Sequence, residues 1–524
     1  VNYMAGIELR RSKVTDLMTR GFGYDPNSLT TKPLVFPEGS TQMDNAEFEQ
    51  YSKSFTEDRF LSVYMTGSYT YNNRYTFFGS LRYDGSNMFG VDRKYKYLPL
   101  WAVSGAWNIN REAFLSDADW LSDLKLRASY GVQGNVDKDT SPLVVGEWDN
   151  TQVLPDNSES NIIVSSPPNQ YLRWEKTTNW NGGLDVAVLG NRIAFTADVY
   201  RRVSDDLIGM RSLPGENGFD YSTMNWAKLT NRGYELSLST VNVKTKDFRW
   251  VMDFNLAHNK SKINRLNVRD NSYEPSREGY SVGAVFSLKT AGLDENGLQM
   301  FYNKQGEKVS FNDFFGLEYG YMMGGLIPFL KSNLSAEEYR NLFTYEGTTE
   351  PKFTGGWINR FYYKNFDLTV SASFVLDQTV QEQPFYNPVQ TSPGQNYSRR
   401  MSQIWSPDNT SGKYPRIMGT YTEGEENWAY QWLGMLDPGN SYRKYDYWFK
   451  KMSYMRINSI RLGYTFPERL LGHIGFSSAR ISFEARNPFV FGSSYKGYFD
   501  PETYGNIYTQ PLAKTFSCGI DLTF

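Results

Sequence analysis

Apolar and polar residues alternate with a period of two along most of this chain, the mark of a β-strand whose two faces meet different surroundings. In Leu61–Tyr71 one face reads Leu61, Val63, Met65, Gly67, Tyr69 and Tyr71, and the other Ser62, Tyr64, Thr66, Ser68 and Thr70. Tyr75–Asp84 sets Phe77, Leu81 and Tyr83 against Thr76, Ser80, Arg82 and Asp84. Leu124–Asn135 sets Leu124, Leu126, Ala128, Tyr130 and Val132 against Lys125, Arg127, Ser129, Gly131 and Gln133. Phe366–Leu376 and Phe516–Phe524 alternate as cleanly. Similar stretches at 3–11, 100–109, 179–189, 192–203, 232–241, 248–258, 353–363, 454–466 and 479–486 bring the expectation to about fourteen strands. No segment makes a comparable case for a helix.

Full charges stand in mid-strand on the polar faces: Arg82, Arg127, Asp185, Asp198, Glu235, Asp253, Asp367, Glu484 and Asp521. A dry core would desolvate them without partners, so this face meets bulk water on a sandwich or the hydrated lumen of a barrel. Aromatics gather at strand ends, as in Tyr69/Tyr71, Tyr75/Phe77, Trp101/Trp107 and Tyr362/Tyr363. That suits an aromatic girdle at a membrane–water interface, although good strand formers also fill sandwich cores. Connection lengths fall into two sets. Gly190-Asn191, Asn72-Asn73-Arg74 and Lys364-Asn365 join strands tightly, whereas 136–178, 204–230, 264–352 and 377–450 are long polar or aromatic excursions. Short turns alternating with long loops fit an outer-membrane barrel, and the fixed repeat of a propeller is missing. On the barrel reading, Leu126, Tyr130, Leu368, Phe374 and Leu522 point outward to lipid and Arg127, Asp367 and Asp521 inward.

Composition narrows the chemistry. The 524 residues carry 55 Lys+Arg and 57 Asp+Glu, a net charge of −2, so there is no basic excess of the kind nucleic acid demands. One cysteine rules out a disulfide framework and Cys-based metal sites. Two histidines, His258 and His473, leave little for a His-based triad or metal centre. Neither a metal nor a cofactor is expected. Mean hydropathy is −0.56, and apolar runs such as Tyr321–Leu330 fall well short of the roughly 18 residues a spanning helix needs. Barrel strands, which put only alternate residues into lipid, escape that test. No H-E-x-x-H, G-x-S-x-G or Walker-A string is present. The acid pairs Asp205/Asp206 and Glu425/Glu426 read as solvated surface rather than glycosidase carboxylates, and Asp294–Gly297 as a turn rather than a calcium loop. No catalytic residue is expected.

Several strings occur in a telling order: FFGSLRYDGSNMFG at 77–90, KYKYLPLWAVSGAWNINREAF at 94–114 and LKLRASYGVQGN at 124–135. LTNRGYELSL follows at 229–238, then EPKFTGGWINRFYYKNFDLTV at 350–370 and IWSPDNTSGKYPRI at 404–417. WFKKMSYMRINSIRLGYTFP at 448–467, NPFVFGSSYKGYFDPE at 487–502 and the terminal IDLTF complete the series. Taken together, over nearly the whole chain, they resemble the barrel of SusC/RagA-type TonB-dependent transporters, outer-membrane importers of oligosaccharides or peptides. The resemblance implies an all-β transmembrane antiparallel barrel of about 22 strands, plugged by an N-terminal domain. Residues 1–524 are then expected to form the C-terminal part of such a barrel, with the N-terminal extension, TonB box, plug and first strands outside this sequence. It further implies outer-membrane lipid around the barrel, a SusD-like surface lipoprotein as lid, energy from the TonB complex through the absent N-terminal region, no enzymatic activity and no nucleic acid. Two rivals stand beside it: a soluble all-β carbohydrate-binding protein or enzyme, and a passive porin.

The most plausible ligand surface lies in 377–450, where Trp405, Trp428, Tyr430, Trp432 and Tyr442 sit among Asn, Gln, Asp and Arg. Flat aromatic faces stack on sugar rings while polar neighbours fix orientation; the same amides and arginines suit a peptide backbone. The tryptophans tilt the expectation toward glycan. For any one of these aromatics, packing of the loop itself or contact with a partner lipoprotein is the commoner role. Arg399-Arg400 and Arg443-Lys444 read first as solvated loop and second as contacts for an acidic partner surface, and Cys518 as an inert, lipid-facing group on the apolar face of the last strand.

Overall fold

The computed structural model describes the chain except for residues 37–49, 89–96, 139, 155–156, 323–326, 393, 420–423, 472–474, 495, 497–499 and 505–508. His473 and parts of the 77–90, 94–114 and 487–502 strings therefore lie outside the described residues. Fourteen strands form the main sheet, ordered as in the chain. They are β1 (Asn2–Thr19), β2 (Tyr51–Tyr71), β3 (Tyr75–Ser86), β4 (Tyr97–Asn108), β5 (Leu121–Asn135), β6 (Glu175–Val188) and β7 (Ile193–Ser212). The rest are β8 (Tyr221–Lys244), β9 (Phe248–Arg265), β10 (Phe353–Tyr363), β11 (Phe366–Gln381), β12 (Phe449–Thr465), β13 (Ser478–Phe491) and β14 (Thr515–Thr523). Each alternating stretch read from the sequence has one counterpart here.

The turns follow from residue type. Asn72 and Asn73 both take positive φ, as do Leu189, Gly190 and Asn191, the left-handed geometry that matches a two-residue hairpin to strand twist. One expected connection is corrected. Segment 204–230 is mostly strand: β7 continues to Ser212 and β8 begins at Tyr221, leaving 213–220 as the turn. The register shifts between Ser204 and Ile208, and Asp206 sits at φ +58°. A bulge puts an extra residue into one strand and breaks the period-two pattern without ending the pairing.

Two compact units emerge from the contacts: Val1–Tyr69 with Phe78–Val103 and Val132–Glu175, and Thr70–Phe77 with Ser104–Gly131 and Lys176–Phe524. In the first, β1 and β2 pair in unbroken register from Asn2↔Ser68 to Thr19↔Tyr51. Arg11 and Arg59 both grip Glu57 there, and Val145–Leu154 pairs with Asn157–Ser166 as a separate hairpin.

In the second unit the faces are chemically distinct. Register aligns Leu184, Ala197, Leu236 and Leu256 on one face and Gly183, Asp198 and Glu235 on the other. Leu368 and Phe374 share the apolar face with Leu462 and Met455, as do Leu522 and Ile520 with Ala479 and Ile481. That apolar face is open: Phe516 is 65% and Ile520 68% exposed, and Cys518 lies between them, exposed. Tyr71, Phe77, Tyr363 and Phe366 are exposed at the tight-turn end, where the girdle was expected.

Two of the long connections pack against each other. The described residues of 266–352 and 382–448 fold together, tied where Leu288 N–H donates to Lys444 O at 2.8 Å and Asp446 N–H to Leu288 O at 3.1 Å. Helix α1 (Phe311–Phe315) is capped by Ser310, whose hydroxyl accepts from Asp313 N–H, and ends on Gly316 at φ +57°. Helix α2 (Ala336–Arg340) starts at a reciprocal Ser335/Glu338 capping box. Helix α3 (Gly424–Gln431) runs into a π-turn at Trp432–Leu436. Around them Leu288, Phe301, Phe314, Phe315, Tyr339, Trp432, Tyr442, Tyr445 and Trp448 form one buried aromatic core.

Candidate functional site

The polar face is organised by ion pairs that reach across strands. Arg127 on β5 donates from Nε to Asp185 on β6 at 2.8 Å and from Nη2 to Asp198 on β7 at 3.1 Å. Gly183 stands directly opposite Asp198, and a Cβ there would meet Arg127 Cζ at 2.7 Å. The glycine is the notch in which the guanidinium lies. The device recurs: Arg480 on β13 reaches over β12 to Asp367 on β11 at 2.8 Å, above Gly463, where a Cβ would strike both groups. Arg360 pairs with Asp253, which also accepts from Ser239 Oγ at 2.7 Å. Arg456 is 3% exposed and lies between Asp500 and Glu502. Arg127 and Asp367 thus sit on the polar face and Leu126, Leu368, Phe374 and Leu522 on the apolar one. The charges on this face are satisfied by each other while remaining partly exposed.

The aromatic residues singled out in 377–450 have separate fates. Trp432 is 4% exposed, its ring centroid 5.6 Å from Phe315 and 6.4 Å from Tyr339. Tyr442 is buried, 5.7 Å from Tyr386 and 5.8 Å from Trp448. Trp405 is buried against Gly297, with the Arg416 guanidinium 5.4 Å from its ring centroid, and it lines a cleft of about 350 Å3 together with Arg416 and Asn409. Trp428 and Tyr430 are only partly buried; Trp428 stands edge-on to Tyr319 at 4.9 Å. Trp432 and Tyr442 therefore lie in the core of the loop module, Trp405 is buried as well, on the wall of the cleft, and Trp428 and Tyr430 lie nearer the surface. Phe301, Phe311, Phe314, Phe315 and Tyr339 complete that core without having been singled out from the sequence. Their local signals were the FNDFF run after Ser310 and the S-x-x-E string at 335–338.

Electrostatics agree with a core reading. Burial pushes the phenols of Tyr442, Tyr445 and Tyr447 well above the usual tyrosine range. Tyr339 is raised first by burial and then by Asp437, to which its hydroxyl donates at 2.8 Å. Burial also raises Glu426, against the opposing pull of Arg416 at 3.0 Å. The acid pairs carry no catalytic geometry: Asp205 is bound to Lys228 at 2.8 Å and Glu426 to Arg416. Asp294 closes a turn, accepting at Oδ1 from Asn296 and Leu298 N–H. Arg400 corrects an expectation. It is not a solvated loop residue but an ion partner of Glu382, 4.4 Å from the Phe385 ring centroid, because the loop it belongs to folds back on its own aromatics. Among the described residues no group of three His, Cys, Asp or Glu side chains is placed to hold a metal.

Two larger cavities flank the module. One, of about 860 Å3, is lined by Arg269, Arg277 and Lys444 together with Trp226, Phe286 and Phe343. Trp226 is held between Arg211 and Arg265, each guanidinium 4.4 Å from the ring centroid. The other, of about 1080 Å3, opens above β7, β8 and β9. Sequence reading missed both, since their walls combine strands with segments far apart in the chain.

Comparison with known proteins gives a consistent answer. Residues 4–319 match the family described as TonB dependent receptor-like, beta-barrel. TonB-dependent receptor P3 of Formosa agariphila is 28% identical over 507 residues, covering 91% of this chain and 46% of that protein. TonB-dependent receptor SusC of Bacteroides thetaiotaomicron is 28% identical over 495 residues, covering 92% of this chain and 45% of SusC. The chain thus spans about half the length of these relatives. The solved RagAB peptide transporter superposes with a TM-score of 0.74 at 22% identity, over 100% of this chain and 53% of that one, a likeness of fold.

Proposed function

The chain belongs to the TonB-dependent receptor β-barrel family, and from that premise we propose that it is the C-terminal barrel portion of an energised outer-membrane importer of oligosaccharides or peptides. The family consists of receptors and transporters rather than enzymes, and its barrels reside in the outer membrane. The observation that carries the proposal is the two-faced sheet, with large apolar side chains exposed on one face and cross-strand ion pairs on the other. A sandwich would bury its apolar face under a second sheet, whereas here it is open; in a soluble protein it would stand in water, a cost of about 25 cal/mol per Å2. In lipid the same face is satisfied.

In this reading the remaining half of the transporter supplies the plug, the TonB-contacting segment and the other barrel strands, and a SusD-like lipoprotein closes over the loop module. The resemblance of the ordered strings to SusC/RagA-type transporters supports the lipoprotein partner, and the fold likeness to the RagAB peptide transporter keeps peptide beside oligosaccharide as cargo. With Trp432 and Tyr442 committed to the core and Trp405 buried against Gly297 and Arg416, stacking on a ligand falls to Trp428 and Tyr430.

The test is uptake by cells expressing the full-length protein and its lipoprotein, with labelled oligosaccharides and labelled peptides offered in parallel. Import of one class that stops when TonB is deleted is expected. Import that continues without TonB would make the protein a passive porin. A protein extracted without detergent would be a soluble one. Trp428→Ala is expected to weaken import by about tenfold, the scale of one stacking contact, while the lipoprotein still co-purifies.

A further inference from the structure

Above its apolar band, the outward face of the second unit turns basic. On β8 the residues of that face run Leu238, Leu236, Tyr234, Arg232 and Thr230, each about 7 Å beyond the last. Their cross-strand partners form rows. Phe195, Leu238 and Phe254 make one; Val199, Tyr234 and His258 the next but one. The His258 ring lies 5.2 Å from Tyr234 and 5.2 Å from Phe353, so this row is an aromatic collar. One step higher stand Trp180, Arg201, Arg232 and Lys260, directly opposite one another on four adjacent strands. Lys262 follows, paired with Thr230.

Like charges directly opposite on neighbouring strands repel, so this row calls for an anion. Arg201, Arg232, Lys260 and Lys262 are exposed, and among the described residues none of them has an ion-pair or hydrogen-bond partner. They floor the cavity of about 1080 Å3, whose far wall adds Lys352 and Lys451. Two carboxylates there are engaged: Glu350 accepts from Ser261, and Glu346 from Ser287 and Lys289. Among the described residues only Glu346 is neutralised by a cation from outside the groove, which leaves Glu350 and Asp377 to face six Lys and Arg side chains.

We propose that this groove binds the phosphates of anionic lipid headgroups in the leaflet on the long-loop side. The inference rests on the membrane reading of the apolar face. The source of the phosphate follows from position: the cations lie on the lipid-facing side, one step above the collar, with Trp180 in the same row, and not on the polar face. Cations at that level meet headgroups, and aromatics mark the boundary.

The experiment uses full-length protein in nanodiscs of phosphatidylcholine with or without phosphatidylglycerol, and lipid retention read by native mass spectrometry. Wild type is expected to retain phosphatidylglycerol in preference to phosphatidylcholine. The variant Arg201→Gln/Arg232→Gln/Lys260→Gln/Lys262→Gln is expected to lose that retention by about tenfold or more. Raised salt should strip the lipid from wild type, which tests the proposal even where the variant fails to insert. Equal retention in variant and wild type, or retention insensitive to salt, overturns it. So does inorganic phosphate stabilising the protein in neutral nanodiscs as much as the anionic lipid does, since the site would then serve a soluble anion. Entry into nanodiscs without lipid preference overturns this inference alone; failure to enter either kind overturns the membrane reading with it.

Discussion

Single residues here are chosen for what must fit between strands. Gly183 and Gly463 each lie beneath an arginine that spans two strands to reach a carboxylate. A methyl group at either position has to lift the guanidinium off the sheet. Gly183→Ala is therefore expected to cost about 1–3 kcal/mol, the range for overpacking, read as a lowered unfolding midpoint of the full-length protein in a bilayer. An unchanged midpoint would mean that Arg127 finds another path to Asp185 and Asp198. In the loop module the sharper contrast is between two tryptophans four residues apart. Trp432→Ala empties a site in the aromatic core and is expected to cost about 3–5 kcal/mol, seen as protease cleavage within 382–448. Trp428→Ala should leave that segment resistant and act on import instead. Residue type and neighbourhood in the sequence nominated both rings equally. Only burial separates them, because a loop has no periodicity from which to read which side faces in.

At the level of the strand, alternation assigns a price to each face. Leu462 lies on the apolar face of β12 and Ser517 on the polar face of β14, opposite Glu484 on β13. Leu462→Lys is expected to destabilise the barrel by about 2–4 kcal/mol if it lies near the bilayer midplane, while Ser517→Lys stays within the small range of surface changes. Bilayer refolding titrations of the two variants check this, and equal costs would dismiss the lipid-facing assignment. Nearly all of the sheet was legible this way: period two is a local property of an extended chain, so it shows in any window of a few residues. It failed at the bulge between Ser204 and Ile208, where the phase changes while pairing goes on. It was also silent about α1 and α2. Each is only five residues long, and their capping signals sit in segments otherwise read as loop. Ser335→Ala should cost about 1 kcal/mol through loss of the cap, visible as faster amide exchange across 336–340.

For the whole molecule, the governing fact is that the apolar surface is on the outside of the sheet and the aromatic core is in the connections. A membrane supplies the environment that the strands require, and the loop module carries its own core because lipid cannot cover it. The strands of the main sheet, their two faces, the tight turns and the family resemblance were all present in the sequence, since each depends on neighbours within a dozen residues or on a string of residues in order. The tertiary structure alone decided that 266–352 and 382–448 fold as one body, that Trp432 and Tyr442 are structural, and that Arg201, Arg232 and Lys260 stand in one row. Those facts depend on register and on contacts between residues tens to hundreds of positions apart. Alternation along one strand carries no information about which residue of the next strand will stand opposite.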